Sequence, residues 1–583
     1  MKEKKSIICV FITILIFMFV PAASLSCQID LFPGETTPET EEEMSTDADR
    51  EFKENERYEN TEEEKEITSA NLWIDEVVPE DVSVKIRSKL TEAFDEIKIV
   101  DGKEDSDIRI EINVNQGSPA ATWVLVPVVS FFRAFDDISY DDFKKFWAGD
   151  EEVLNYIAVD GSGPVLVLTG EVYKVLEKIL GESGNENIKI VSEEELILNI
   201  EDNNSFSIIP FDRIEKKYKV LDLDGVSIFD KNLDTGNYPL TTGINVESDN
   251  PETEGKMYEC FGGASITNRD IEKMTSVIMT GVTAMARQIR KRIENYGVLS
   301  PGEEIAETLK DADITHISNE IPFVEGCTGA RDKDIVFCSS PEYIELLRYV
   351  GTDVIELTGN HMNDYGNEWM YYTLDMYDEE GWPYFGGGRN LAECYSAATF
   401  EINGNRIAFL GANTYGPRGN WATENTPGSA RIDVYDEAQK EEDMEKFEEL
   451  IKDLKKQGYI VIFTFQYEET YRYFPTETQV ADFRRMIDAG ADIVSGSQSH
   501  YPMGVEFRGG GFINYGLGNL FFGQQRQDLG NNPGIIAKHI FYNGKHINTV
   551  LITTMLNDFS QPRLTTPEER LELLNSIFAG SIR

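Results

Sequence analysis

The stretch PEYIELLRYVGTDVIELTGNH, residues 341–361, decides the fold. Its first ten residues carry apolar side chains at helical spacing. A glycine-led acidic turn, the short strand-like run VIEL and the polar tip Gly359-Asn360-His361 follow. The same order recurs three more times. GEEIAETLK-DAD-ITHI (302–317) ends in Ser318-Asn319-Glu320. MEKFEELIKDLKKQ-GY-IVIFTF (444–465) ends in Gln466-Tyr467-Glu468, and TQVADFRRMID-AGAD-IVSG (478–496) in Ser497-Gln498-Ser499-His500. Strands alternating with helices predict an α/β domain with a largely parallel sheet. Ligand chemistry in such sheets collects where the strands run out at their carboxyl ends. Imidazole, carboxylate and amide oxygens brought to one edge suit a divalent metal ion or a phosphate-bearing ligand.

Each residue also has a plain structural reading. Asn363, Asp364 and Gly366 after His361 could simply build a turn. His500 stands before Tyr501-Pro502, and Glu320 before Ile321-Pro322, so each could be an ordinary packed strand-end residue. Their convergence, rather than any one of them, argues for a site. His316, His539 and His546 read as structural or surface residues. FGGGRN at 385–390 reads as a glycine turn opening a helix at Leu391, with a phosphate cradle as the alternative.

Composition narrows the field. The chain has 583 residues with 104 acidic and 54 basic side chains, so its formal charge is 54 − 104 = −50. Phosphate contacts need a basic face, and the only basic run is QIRKR at 288–292, so nucleic acid is excluded as a partner. At 41% hydrophobic residues the chain can bury real cores. All five histidines lie beyond position 315, which confines imidazole chemistry to the C-terminal half.

Residues 1–27 read as a signal peptide: a basic tip, then SIICVFITILIFMFV, shorter than the roughly 20 residues that span a bilayer. They predict an exported, extracytoplasmic protein. Ser24-Leu25-Ser26-Cys27 resembles a bacterial lipobox, which would make Cys27 a lipidated membrane anchor; plain cleavage after Ala22-Ala23-Ser24 is the alternative. Residues 28–69 are dominated by an acidic stretch too poor in apolar residues to fold, and read as an extended tether. Residues 70–245 show the periodicities of a smaller α/β domain. At WVLVPVVSFFRAFDDISYDDFKKFWAG (123–149) and SIIPFDRIEKKYKVLDLDGVSIF (207–229) it resembles type 2 periplasmic substrate-binding domains of the phosphate-binding kind. It would be either a ligand sensor or an architectural remnant. Residues 246–270 read as a linker, 271–560 as the second domain and 561–583 as a helical tail. Cys327 and Cys338 flank a short polar loop and are expected to be bridged in an exported protein; Cys260 and Cys394 could form a second bridge. No cysteine spacing suggests zinc.

Residues 275–525 resemble the CapA family, poly-γ-glutamate capsule synthesis proteins with a layered, calcineurin-like metallophosphatase fold. SNEIP (318–322), ELTGNHMNDYG (356–366), GWPYFGGGRNLAEC (381–394), FPTETQVADFRRMIDAGADIVSGSQSHYP (474–502) and INYGLGNLFF (513–522) carry the resemblance. It implies a role in cell-envelope polymer synthesis or export, with a polymer or a phosphorylated small molecule as ligand and an export complex as partner. It implies a metal site of Glu320, Asn360, His361 and His500. Glu320, His361 and His500 would serve as catalytic groups, and Asn360, Gln466, Gln498, Arg287 and Asn519 as ligand-binding ones. Because a net charge of −50 would repel a polyanion, a local basic pocket would be needed, for which Arg287, Arg389 and Arg418 are the candidates. The departures are substantial. Val282 stands where the family has an aspartate, and Gln466 and Gln498 where it has histidines. Two alternatives follow: a divergent metal-dependent phosphoesterase-like hydrolase, or a catalytically inactive, metal-free lipoprotein that keeps the fold to bind a ligand or organise a complex.

Overall fold

Strand Ile460–Gln466 shows how the C-terminal half is built. Ile460 and Ile462 face an apolar layer shared with Val277, Ile314, Ile407 and Ile493. Val461, Phe463 and Phe465 face another, shared with Met444 and Phe447 of helix Glu437–Lys456 and Phe483 and Met486 of helix Glu477–Ala489. Successive side chains of a strand point to opposite faces, so this strand has a sheet on one side and helices on the other. Strand Met274–Met279 does likewise: Val277 and Met279 join the first layer, while Ile278 packs with Ile289, Leu309, Leu347 and Leu374 from helices. Two sheets therefore lie face to face with helices outside each. The computed structural model describes residues 68–113, 119–158, 163–201, 204–261, 266–328, 335–523 and 532–583.

The first sheet of this half runs Tyr384–Phe385, Val354–Glu356, Ile314–Asn319, Met274–Met279, Pro533–Tyr542, Lys545–Asn557, Gln561–Leu564. The second runs Ala398–Ile402, Asn405–Asn413, Ile460–Gln466, Ile493–Ser497, Gly511–Asn514, Val505–Arg508. The repeated helix–strand units pair in parallel within each sheet. The largely parallel strands read from the repeat are thus divided between two sheets, in keeping with the layered α/β fold expected. Two Asn-Gly hairpins make the difference. Asn403-Gly404 (φ 51° and 72°) turns Ala398–Ile402 back onto Asn405–Asn413 and starts the second sheet. Asn543-Gly544 (φ 51° and 77°) adds an antiparallel pair to the first. Positive φ at both positions is what a tight two-residue hairpin demands.

The N-terminal sheet runs Glu96–Ile99, Ser69–Ile74, Ile108–Asn113, Thr241–Glu247, Ala121–Ser130, Ser205–Pro210, Val165–Thr169, Ile188–Val191. Its core, around Trp123, Leu125, Phe146 and Phe206, also takes in Met274, Ile540 and Ile547 from the C-terminal half. Lys231 pairs with Asp313 at 2.6 Å and Arg570 with Asp136, so the described residues form one compact unit. The described residues among 246–270, read as a linker, belong to this layer. They hold helix Pro251–Phe261, whose N-terminal Glu252 and Thr253 amides donate to the Asn250 side chain, and strand Ile266–Thr267, which pairs with Ala121–Thr122. The polar residues that suggested a loop are the cap and solvent face of that helix.

The tail adds strand Gln561–Leu564 and helix Pro567–Ala579, whose Ile577 and Phe578 close one end of the layer between the sheets. Cys327 and Cys338 form a disulfide, whereas Cys260 and Cys394 are free thiols, so the second bridge is absent. Among the described residues no helix is long and apolar enough to cross a membrane. The signal peptide, Cys27 and most of the acidic tether lie outside the described residues.

Candidate functional site

The parallel strands of both sheets end on one cavity of about 720 Å³. Strand Ile314–Asn319 delivers Glu320, the segment after Val354–Glu356 delivers Asn360 and His361, and the turn after Ile493–Ser497 delivers Gln498 and His500. Arg287, opening helix Arg287–Tyr296, lines the same cavity. Gln466 lies buried beneath them. Close backbone approach makes the convergence possible. A Cβ on Gly359 would lie 2.7 Å from the Glu320 Cα, and one on Gly416 would lie 2.6 Å from the Asn360 Cβ. Glycine is therefore required at both places.

The cavity also concentrates backbone strain. Nine non-glycine residues have positive φ among the described residues, and Arg287 (47°), Tyr471 (53°), Gln498 (76°) and His500 (57°) are four of them. Each costs about 1–3 kcal/mol, and such costs cluster where a side chain must be aimed at a ligand.

Hydrogen bonds hold the polar groups. Gln466 Nε2 donates to Asn360 Oδ1 at 2.7 Å, Gln498 Oε1 at 2.7 Å and Glu320 Oε1 at 3.3 Å. His361 Nδ1 meets Asp364 Oδ2 at 2.7 Å, and that oxygen also accepts the Phe337 amide. His500 Nδ1 meets Asn519 Oδ1 at 2.9 Å, and its ring stacks on Tyr471 with centroids 5.3 Å apart. With Nδ1 donating to an amide oxygen, the His500 Nε2 is free of a proton and can accept one.

Burial sets the electrostatics. It pushes the Glu320 carboxyl up to about 7, against which the nearby His361 pulls only partly, and its Oε2 has no hydrogen-bond partner. For His361 burial alone would lower the pKa, but the bond to Asp364 and the charge of Glu320 outweigh it and raise it. His500 is fully buried and is lowered by that burial. A carboxyl pushed up to about 7 and an imidazole raised above its ordinary value thus face a cavity walled by aromatic rings. The Arg287 guanidinium stacks over two of them, Phe337 at 4.6 Å and Phe522 at 5.6 Å.

The structure brings together Glu320, Asn360, His361, Gln466, Gln498, His500, Arg287 and Asn519. It separates Arg389, which pairs with Asp375 and Asp378, and Arg418, which pairs with Asp433; both lie outside the cavity lining. In FGGGRN, read as a glycine turn, Gly387–Gly388 instead forms a short strand against Gly428–Ser429, and the Asn390 side chain caps the short helix Leu391–Cys394. Asp364, Phe337, Tyr415, Glu469 and Tyr471 line the cavity unforeseen, since they stand in loops rather than at the ends of apolar runs. Only Asp364, three residues after His361, carried a local signal.

The residues present do not make a two-metal centre. Val282 belongs to an apolar patch with Ala284, Ala286, Ile321, Phe337 and Phe522, and supplies no ligand atom. Glu320, Asn360 and Gln498 turn their oxygens toward an amide nitrogen that donates to all three. Among the described residues no three His, Cys, Asp or Glu side chains are grouped to hold a metal ion.

Residues 276–524 match the family described as Bacterial capsule synthesis protein PGA_cap. The chain is similar to the capsule biosynthesis protein CapA of Bacillus anthracis, 28% identical over 292 residues, covering 49% of this chain and 69% of that one. It is also similar to the PGA biosynthesis protein CapA of Bacillus subtilis, 27% identical over 276 residues, covering 47% and 70%. Among solved structures, an ABC-type phosphate transport receptor from Vibrio cholerae aligns with 34% of this chain and 94% of its own, at 10% identity and a TM-score of 0.30, a likeness too slight to carry an argument.

Proposed function

Residues 276–524 belong to the bacterial capsule synthesis (CapA) family, and from that premise we propose that the protein serves cell-envelope polymer synthesis or export outside the cytoplasm, using its cavity to hold an anionic polymer segment. The observation that carries this reading is the arrival of Arg287, of the adjacent Asn360 and His361, and of Gln498 at one cavity from three separate segments. A guanidinium and a raised imidazole complement a carboxylate or phosphate group, and the carboxamides offer neutral hydrogen bonds beside it. The net charge of −50 opposes a polyanion at long range, which makes a local cationic pocket necessary for such a ligand.

Binding of a labelled glutamate oligomer to the full chain, read by fluorescence anisotropy, tests this. Arg287→Gln and His361→Ala are each expected to weaken binding by about tenfold, one charge-assisted hydrogen bond's worth. Binding that neither substitution moves would sink the assignment. Inorganic phosphate as competitor separates a phosphorylated ligand from a carboxylate one. Export is tested separately: Cys27→Ser is expected to release the chain from the membrane fraction if Cys27 is lipidated.

A hydrolase is the second reading, favoured by a Glu320 carboxyl pushed up to about 7 beside a His361 imidazole held above its ordinary value in a strained site. Here Glu320 would deliver a proton and His500 Nε2 would accept one, a metal-free acid–base pair. Turnover of a generic phosphoester or of the polymer, lowered about 10²–10⁴-fold by Glu320→Gln, would establish it. No turnover above the rate of that variant excludes it.

A further inference from the structure

Four side chains at the floor of the cavity are all at least nine-tenths buried: Glu320 (4% exposed), Asn360 (5%), Gln498 (3%) and Gln466 (1%). Three of them present oxygens to one point. An arrangement of converging oxygens is normally held together by a cation, because carboxylate and amide oxygens repel one another at hydrogen-bond distance. Here the point is occupied by the Nε2 of Gln466.

The orientation of that amide follows from a chain of donors. The Trp421 indole nitrogen can only donate, and it does so to Asn413 Oδ1 at 2.8 Å. Asn413 Nδ2 is thereby turned the other way, to the Thr358 carbonyl at 2.6 Å and Gln466 Oε1 at 3.5 Å. With its oxygen facing Asn413, Gln466 has only its NH2 left to offer the three oxygens. All these residues are buried, Asn413 completely and Trp421 to 5% exposure, so water is poorly placed to alter the sequence of donors.

We propose that the Gln466 carboxamide stands in the place of a cation, neutral and fixed by the Trp421–Asn413 relay, so that the cavity floor is complete without a metal ion. Trp421 and Asn413 are then positioning residues of the site, although neither lines the cavity.

Gln466→Glu replaces the donating NH2 by an oxygen of the same size and leaves four converging oxygens with no donor between them. Carboxylate and amide-carbonyl oxygens of this kind suit Mn2+. The full chain and the variant are dialysed against Mn2+ alone, bound metal is measured by elemental analysis, and melting is followed with Mn2+ and with chelator. The wild type is expected to take up no stoichiometric Mn2+ and to melt at the same temperature in both conditions. Gln466→Glu is expected to bind about one ion per chain and to gain several degrees with Mn2+. Trp421→Phe, which frees the relay to rotate, is expected to acquire weaker but measurable uptake, a readout that loss of packing alone would not produce. Stoichiometric Mn2+ in the wild type overturns the proposal, whether or not any variant folds. So does a folded Gln466→Glu chain that takes up none.

Discussion

Two buried Glu–His pairs in this molecule behave in opposite ways. In the core, His316 Nε2 lies 2.9 Å from Glu356 Oε2, the Thr280 amide donates to His316 Nδ1, and the Thr358 hydroxyl donates to the other Glu356 oxygen. Burial alone would raise the Glu356 pKa, yet these donors hold it below the usual carboxylate range. At the cavity, Glu320 is as deeply buried but meets one weak amide donor and keeps an unpartnered Oε2, so its pKa rises to about 7. The two carboxylates share residue type, burial and a neighbouring imidazole. What differs is the number of hydrogens pointed at them. A fully donated carboxylate is structural, and an under-donated one is held ready for something that arrives from outside.

The largest expected effect breaks the core pair. His316→Leu leaves Glu356 buried without its main donor and is expected to cost about 3–5 kcal/mol in urea unfolding. A cost no larger than that of a cavity substitution would erase the distinction.

The next effect is opposite in sign. Glu320 binds its proton more tightly in the folded state, near 7 rather than 4.5, so stability falls as pH rises through that interval. His361, raised in the folded state, adds stability below its ordinary pKa that is lost as pH climbs past its folded one, in the same direction. Glu320→Gln is therefore expected to be more stable than the wild type by up to about 3 kcal/mol near pH 8, and no more stable below about pH 4.5. Equal unfolding midpoints at alkaline pH would show that Glu320 is donated to in some other way.

The smallest effect sharpens the picture. Asp364→Asn removes the charge that lifts His361, so the imidazole titration followed by NMR is expected to move to lower pH. The accompanying change in stability is expected to stay within about 1 kcal/mol.

The cavity was largely legible because its residues stand at the ends of apolar runs. Glu320, Asn360, His361, Gln466, Gln498 and His500 each follow a strand whose hydrophobic residues announce it, and parallel strands send their ends the same way. Asn413 also ends a strand, Asn405–Asn413, but no helix precedes that strand, only an antiparallel partner, so the recurring helix–strand order passed over it. Tyr471 and Glu469 arrive on a loop, where no periodicity exists to place them. The division into two sheets was hidden in the dipeptides Asn403-Gly404 and Asn543-Gly544, local turn chemistry that the helix–strand rhythm obscures. In both cases the missing information was antiparallel pairing, which depends on a turn rather than on a pattern.

The apolar core that runs unbroken from Trp123 to Met274, Ile540 and Ile547 has a practical consequence for anyone dissecting the chain. A fragment beginning at residue 271 would keep every residue of the cavity and lose the partners of that face. It would bare Met274 and Ile540 to water, along with the Asn548 amide that now donates to the Tyr218 carbonyl. Expressed alone, residues 271–583 are expected to collect in inclusion bodies, while the same region preceded by residues 68–270 stays in solution.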